Sequence, residues 1–244
     1  MLYTLSVSNN IPIAQKEILK VLAGKIDDFY LAGGTALSLF YLNHRQSDDL
    51  DFFTKEFKVE RVNRVIDYLK DTTKKNITLI GENLSKKTAE IMVYNLELNK
   101  DEFLKIDFVE DVLPFKKGTQ LFNGINVLSI DDIYLRKIYA VSGLSRKIDE
   151  IGRKQFSGGR QEAKDLFDIY FLSQKHLRLS DFVNKYCEQT LKEGVIRWFR
   201  TFSRLEMKTD LAEIKTGKII EFREIDKHLF GEIDKILLRE VDLQ

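Results

Sequence analysis

LAGGTALSLFYLNHRQSDDLDFF, residues 31–53, is the stretch on which the fold reading turns. It continues a short apolar run, Asp28-Phe29-Tyr30-Leu31-Ala32, that reads as a buried strand. Gly33-Gly34 ends this strand, and from Thr35 the run TALSLFYLN reads as a helix buried nearly all round. Glycine lets a backbone approach a phosphate closely, and free N–H groups at a helix start favour an anion. Thr35 adds a hydroxyl contact or caps the helix. In isolation, a Gly-Gly pair before a helix reads as a tight turn.

The second half of the stretch changes that balance. Asp49-Leu50-Asp51-Phe52-Phe53 reads as a strand with acids alternating against apolar residues. Residues two apart on a strand face the same way, so Asp49 and Asp51 project together while Leu50, Phe52 and Phe53 anchor the strand. Two adjacent carboxylates repel unless a cation or a proton lies between them. Magnesium shared with substrate phosphates is the usual resolution. The plainer alternative is one surface aspartate beside one turn-capping aspartate. A third acid, Asp107, interrupts the apolar alternation of Lys105-Ile106-Asp107-Phe108-Val109. Strand propensity disfavours it, and burial without a partner is costly. Metal coordination would explain it, as would an edge strand with Asp107 in water beside Lys105.

Working outward, residues 12–24 and 59–70 carry helical spacing, and Ile77–Ile80, Glu90–Leu98 and Phe103–Val109 read as strands. The last two are expected to pair through the polar turn Asn99-Lys100-Asp101, and the segment 121–128 adds a further strand. From Ile130 the remaining segments, 131–143, 160–174, 180–194, 195–206 and 222–241, read as helices, with Ser129 and Ser180 as N-caps and no further strands. The expected fold is α+β: a mixed sheet with flanking helices over residues 1–128, followed by a helical bundle over 129–244.

The 244 residues are 43% hydrophobic, enough for a substantial core, and only two prolines argue against extended linkers. One cysteine, Cys187, cannot form an intrachain disulfide. The first twenty residues lack a basic segment followed by a long apolar run, and no stretch is apolar enough for a membrane span, so a soluble cytoplasmic protein is expected. A net charge of +1 does not advertise a nucleic-acid binder. Locally, however, residues 136–164 hold eight basic residues (Arg136, Lys137, Arg146, Lys147, Arg153, Lys154, Arg160, Lys164) against Asp149, Glu150 and Glu162. That run is either a solvated connection or a patch for phosphates. His44, His176 and His228 are too scattered for a zinc site, and Trp198, Phe199 and Phe202 read as bundle core.

Leu31-Ala-Gly-Gly-Thr-Ala-Leu, then His44-Arg45-x-Ser47-x-Asp49-Leu50-Asp51-Phe52-Phe53, together with Arg160-x-x-x-Lys164-Asp165-x-x-Asp168-Ile169-Tyr170 downstream, resembles the AbiEii/AbiGii-type toxin nucleotidyltransferases of the polymerase-beta-like superfamily. The resemblance covers residues 29–53 and roughly 128–172, and Lys137 fits one of the family's basic positions. Many superfamily members have Gly-Ser where this chain has Gly33-Gly34, and Thr35 is then the nearest hydroxyl.

The resemblance implies transfer of a nucleoside monophosphate from a nucleoside triphosphate to a hydroxyl acceptor, tRNA or another RNA among the candidates, with a cognate antitoxin as partner. It implies Asp49, Asp51 and Asp107 as ligands of two magnesium ions, with Asp107 also activating the acceptor. Gly33, Gly34, Thr35, Arg45 and Ser47 would lie at the nucleotide, Lys137 or Lys164 would balance phosphate charge, and Asp165 and Asp168 would orient Lys164 or the acceptor. From spacing alone, Lys164 and Asp168 are an ordinary solvated i,i+4 pair. The competing function class is a catalytically silent nucleotide- or partner-binding protein. A glycosyltransferase metal motif at Asp49-Leu50-Asp51 fits less well after Gly33-Gly34, and a haloacid-dehalogenase phosphatase fits least, because Phe53 stands where that family has Thr or Val.

Overall fold

The computed structural model describes residues 10–143, 145–148, 154–157, 159–218 and 220–241, without the side chains of 145–148, 154–157, 240 and 241. Residues 1–9 of the N-terminal reading, and Asp149, Glu150 and Arg153 of the basic run, lie outside the described residues. The chain divides into two compact units, 1–130 and 131–244.

Unit 1 is built in the order α1 (Asn10–Leu22), β1 (Tyr30–Ala32), α2 (Gly33–Ala36) running into a π-helical segment (Leu37–Leu42), β2 (Asp49–Thr54), α3 (Val59–Thr73), β3 (Ile77–Asn83), β4 (Ile91–Asn99), β5 (Glu102–Glu110), β6 (Thr119–Phe122) and β7 (Ile125–Leu128). The strands form one seven-stranded sheet in the order β3-β4-β5-β2-β1-β7-β6. β2–β5 and β1–β7 are parallel and the other pairs antiparallel, so the sheet is mixed.

Period-two alternation decides which face is core. Leu50 and Phe52 of β2, Met92, Tyr94 and Leu96 of β4, and Leu104, Ile106 and Phe108 of β5 are all buried. Against this apolar side lie α1, which buries Ala14, Ile18, Leu19 and Leu22, and α3, which buries Val62, Val65, Ile66 and Leu69 at helical spacing. The other side of β2 carries Asp49, Asp51 and Phe53, all half-buried. Phe53 therefore shares the acids' face instead of anchoring the core with Phe52.

β4 and β5 pair antiparallel, with the polar turn at residues 100–101 between them. The segment 121–128 is not one strand but part of a hairpin, β6–β7, turned by Asn123 and Gly124 at φ 48° and 81°. Both positive angles fit a tight Asn-Gly hairpin turn.

Unit 2 contains α4 (Ile130–Ser142, its first residue belonging to unit 1), β8 (Ser145–Ile148), β9 (Lys154–Ser157), α5 (Ala163–Lys175), α6 (Leu179–Tyr186), α7 (Gln189–Thr201), α8 (Arg204–Leu211) and α9 (Phe222–Val241). The expectation of helices alone after residue 129 is corrected by β8 and β9, which pair as an antiparallel two-stranded sheet. SRKI and KQFS are short and mostly polar, so neither offers the apolar alternation that marks a strand.

The expected helix over 180–194 is also corrected. It breaks at Cys187-Glu188, both extended, and the next helix breaks at Phe202-Ser203. Ser203 caps α8 by accepting from the Glu206 amide at 3.3 Å. Ser180 is not a cap: α6 begins one residue earlier, and the Ser180 amide and hydroxyl donate to Glu232 at 3.0 and 2.8 Å. Trp198, Phe199 and Phe202 are buried, as read from the sequence.

Glu232 ties α9 to α6 from a site only 2% exposed. Burial pushes its pKa up, but Lys235 and the two Ser180 donors outweigh this and hold it below the ordinary 4.5. The group therefore stabilises the fold above about pH 4.5, and that contribution is lost as the pH falls through its lower folded value. Glu232→Ala is expected to cost about 1–3 kcal/mol in urea unfolding at pH 7, because it orphans the Ser180 donors. The difference from wild type should shrink on acidification below pH 4.5.

Candidate functional site

The sheet order places β2 at the centre, and its N-terminal end is held from three directions. Gln15, on the buried stripe of α1 and 1% exposed, donates to the carbonyls of Ser47 at 2.8 Å and Asp49 at 3.2 Å. The Thr35 hydroxyl donates to the Asp49 carbonyl, and the Ser38 hydroxyl to the Arg45 carbonyl. Thr35 has no exposed surface. The expectation that its hydroxyl contacts a phosphate is therefore revised: it positions β2 instead.

Gly33 and Gly34 are needed where they stand. Gly33 has φ 72°, and a Cβ there would lie 3.2 Å from Asp51 Cγ and still closer to its Oδ2. The Asp51 carboxylate thus lies directly over the Gly33 backbone, an approach that only glycine permits. A Cβ on Gly34 would lie 2.6 Å from Arg45 Nη2 and 2.9 Å from Ser47 Oγ. Gly33, Gly34, Arg45, Ser47 and Asp51 consequently form one cluster, with a cation and a hydroxyl on one side of the turn and a carboxylate on the other. His44, next to Arg45, is buried, unlike a surface histidine.

Asp49 and Asp51 pair in register with Lys105 and Asp107 on β5. All four side chains therefore share one face of the sheet. Asp107 is 7% exposed on an interior strand, which excludes the reading of a solvated edge residue. Its Oδ2 accepts from Lys105 Nζ at 2.7 Å, while its Oδ1 is buried without a hydrogen-bond partner. Burial raises the Asp107 pKa, the Lys105 hydrogen bond and charge oppose that, Asp49 adds to it, and the net shift is upward. Burial lowers the Lys105 pKa, but Asp107, Asp49 and Asp51 together leave it raised.

Among the described residues, no three His, Cys, Asp or Glu side chains stand close enough to form a ready-made metal cage. Magnesium does not need one: it typically takes one or two carboxylates and completes its shell with waters and substrate phosphates. Three oxygen-donor acids on one face, one with a buried oxygen lacking any partner, fit that pattern of binding.

The downstream motif has a different character. Lys137, on α4, is 2.7 Å from both Asp165 Oδ1 and Asp168 Oδ2 on α5. Arg160 adds a two-pronged contact to Asp165, at 2.5 Å through Nε and 2.8 Å through Nη2. Both aspartates are fully buried, so theirs is not the solvated helix face that spacing suggested. Burial pushes the Lys137 pKa down, but Asp168 and Asp165 reverse this and leave it raised. Lys164 stands apart from the cluster, half-exposed and 2.9 Å from Glu162. Of the eight basic residues in 136–164, the four with described side chains are all in ion pairs within this unit, Arg136 with Asp132 at 3.6 Å being the fourth. The sequence reading set Lys105 beside Asp107 but did not foresee Gln15. Gln15 could have been noticed as the polar residue interrupting the apolar stripe of α1.

The same fold is found in solved structures of two Helicobacter proteins. A crystal structure of a candidate nucleotidyltransferase from H. pylori matches it with a TM-score of 0.58 at 20% identity, covering 96% of both chains. JHP933 from Helicobacter pylori gives 0.54 at 21% identity, covering 96% of this chain and 95% of its own. At such identities the likeness is one of fold. Residues 18–235 match the family described as nucleotidyl transferase AbiEii toxin, type IV toxin–antitoxin system, and the chain belongs to that family. It is accordingly a nucleotidyltransferase enzyme, of a family described from type IV toxin–antitoxin systems. An uncharacterized protein of Aquifex aeolicus (strain VF5) is 31% identical over 169 residues, a match spanning 66% of this chain and 66% of its own length. Among the described residues no helix is long and apolar enough to cross a membrane.

Replacing Lys137 tests the downstream cluster. Lys137→Met leaves two buried carboxylates short of a cation and is expected to cost about 3–5 kcal/mol in denaturant unfolding. Lys164→Ala, which removes only a half-exposed pair, should stay within about 1 kcal/mol of wild type.

Proposed function

We propose that unit 1 transfers a nucleoside monophosphate from a nucleoside triphosphate to a hydroxyl acceptor in a magnesium-dependent reaction. The observation that carries this reading is the Asp51 carboxylate lying against the Gly33-Gly34 turn. The acid that would share a cation with a phosphate, and the cation and hydroxyl that would contact that phosphate, are thereby gathered at one turn.

Gly33 and Gly34 offer backbone N–H groups to the phosphates, with Arg45 and Ser47 beside Gly34 adding a charge and a hydroxyl. Asp49, Asp51 and Asp107 would hold the divalent metal, which supplies charge neutralisation at the phosphates when bound. The acceptor oxygen attacks the α-phosphorus, the bond to pyrophosphate breaks, and pyrophosphate leaves. The acceptor proton passes to Asp107. Lys137, Asp165 and Asp168 act as the frame of their own unit. Lys164, held only by an exposed pair, is the member of that motif available to a phosphate.

The acceptor we favour is tRNA or another RNA, on the family resemblance. The described cations of residues 136–164 do not add to that case, since each is paired within its unit.

Incubation with each labelled nucleoside triphosphate, magnesium and total tRNA tests the reading, with small-molecule and protein acceptors in parallel. Wild type should transfer label to an acceptor. Asp49→Asn with Asp51→Asn should lose on the order of 10³-fold in rate, as expected for removing several kcal/mol of charge stabilisation. Transfer that persists in the double variant would overturn the assignment of these acids.

A further inference from the structure

The acid face of β2 and β5 carries a cation of its own. Register sets Lys105 beside Asp49 and Asp107 beside Asp51, so the four side chains form a two-by-two block. Lys105 Nζ lies 2.7 Å from Asp107 Oδ2, with the Lys105 side chain 40% exposed. The charges of Asp49 and Asp51 act on it as well as that of Asp107. Three carboxylates share this face with one ammonium, an arrangement that draws a divalent ion. A second divalent ion sharing Asp107 would have to sit directly beside that ammonium, where the two cations repel at contact distance.

The two oxygens of Asp107 differ in their surroundings. Oδ2 is taken by Lys105, while Oδ1 is buried and without a partner. One oxygen thus serves the ammonium and the other remains for one further cation. Resting on the reading of unit 1 as a magnesium-dependent nucleotidyltransferase, we propose that Lys105 stands in for the second metal ion and that this site binds one divalent cation per nucleotide instead of two. Lys105 is then the fixed charge beside Asp107, where the acceptor oxygen is deprotonated. An ammonium is a compact point charge, suited to replacing an ion, and it never dissociates from the site.

The test counts metal, not turnover. The full chain is dialysed to equilibrium against Mn2+ with a saturating α,β-methylene analogue of ATP, GTP, CTP or UTP in turn, and bound Mn2+ is measured by electron paramagnetic resonance. Wild type and Lys105→Arg should each retain one nucleotide-dependent Mn2+ per chain, and Lys105→Met should retain two. Lys105→Gln, which keeps a donor for Asp107 but loses the charge, should also retain two and serves if the Met variant does not fold. Two ions in the wild type overturn the proposal and leave the transferase reading intact. One ion in the folded neutral variants overturns it equally. No nucleotide-dependent Mn2+ with any analogue overturns both this inference and the reading beneath it.

Discussion

The close approach of the Asp51 carboxylate to the Gly33 backbone is the constraint around which unit 1 is arranged. It requires a residue without Cβ, in a left-handed conformation, at the point where β1 ends. It also requires β2 to lie immediately beside β1, and the antiparallel register achieves this by pairing Ala32 with Asp51. Once that pairing is fixed, Asp49 sits two residues back on the same face, and the parallel pairing with β5 brings Lys105 and Asp107 alongside. The backbone at this end of β2 lacks freedom because Gln15 and Thr35 both donate to the Asp49 carbonyl. The site is thus positioned by hydrogen bonds to main chain from residues that have no chemistry of their own.

Both units contain a cluster of acids with cations, and the charge balance separates their roles. In unit 2, Lys137 and Arg160 meet Asp165 and Asp168, two charges against two, with Lys137 and both aspartates buried and Arg160 reaching the surface. A balanced and hydrogen-bonded set of this kind contributes mainly by making its own disruption costly. In unit 1, Asp49, Asp51 and Asp107 outnumber Lys105 on a half-buried face, and one oxygen of Asp107 has no partner. An unbalanced set on a partly open face favours binding a cation. The two aspartate pairs resemble each other as text, Asp-x-Asp and Asp-x-x-Asp, yet one is a candidate ligand site and the other a frame.

That contrast also explains what could be read in advance. The alternation of Asp49, Asp51 and Asp107 against buried apolar neighbours is a local property, and so is the hairpin of β4 and β5. Both were visible in sequence because strand periodicity alone places those side chains. The burial of Asp165 and Asp168 was not visible, because it depends on Lys137 and Arg160 arriving from other segments. Spacing on one helix gave the opposite answer, a solvated pair of Lys164 with Asp168. Thr35 was misjudged for a similar reason: its neighbour, the Asp49 carbonyl, is fourteen residues away and is placed there by the sheet. Asn123-Gly124 and the Ser203–Glu206 cap are different. Their signals were local, and reading them would have divided 121–128 into two strands and ended α7 before Ser203.

The connection between α2 and β2 shows how the remaining residues reach the site. The chain leaves Gly33 in a short α-helical turn and widens into a π-helical segment over Leu37–Leu42. Such widened turns are uncommon and often accompany functional sites. The segment stops at Asn43 in a left-handed conformation, with its amide bonded to the Ser38 carbonyl. Asparagine tolerates that conformation better than most residues. The chain is thereby reversed, and the Ser38 hydroxyl then binds the carbonyl of Arg45 as it returns. Arg45 and Ser47 consequently pack against Gly34, where neither would fit if that position carried a side chain. The two glycines therefore act on opposite partners: Gly33 admits an acid from β2, and Gly34 admits a cation and a hydroxyl from the connection that leads to it.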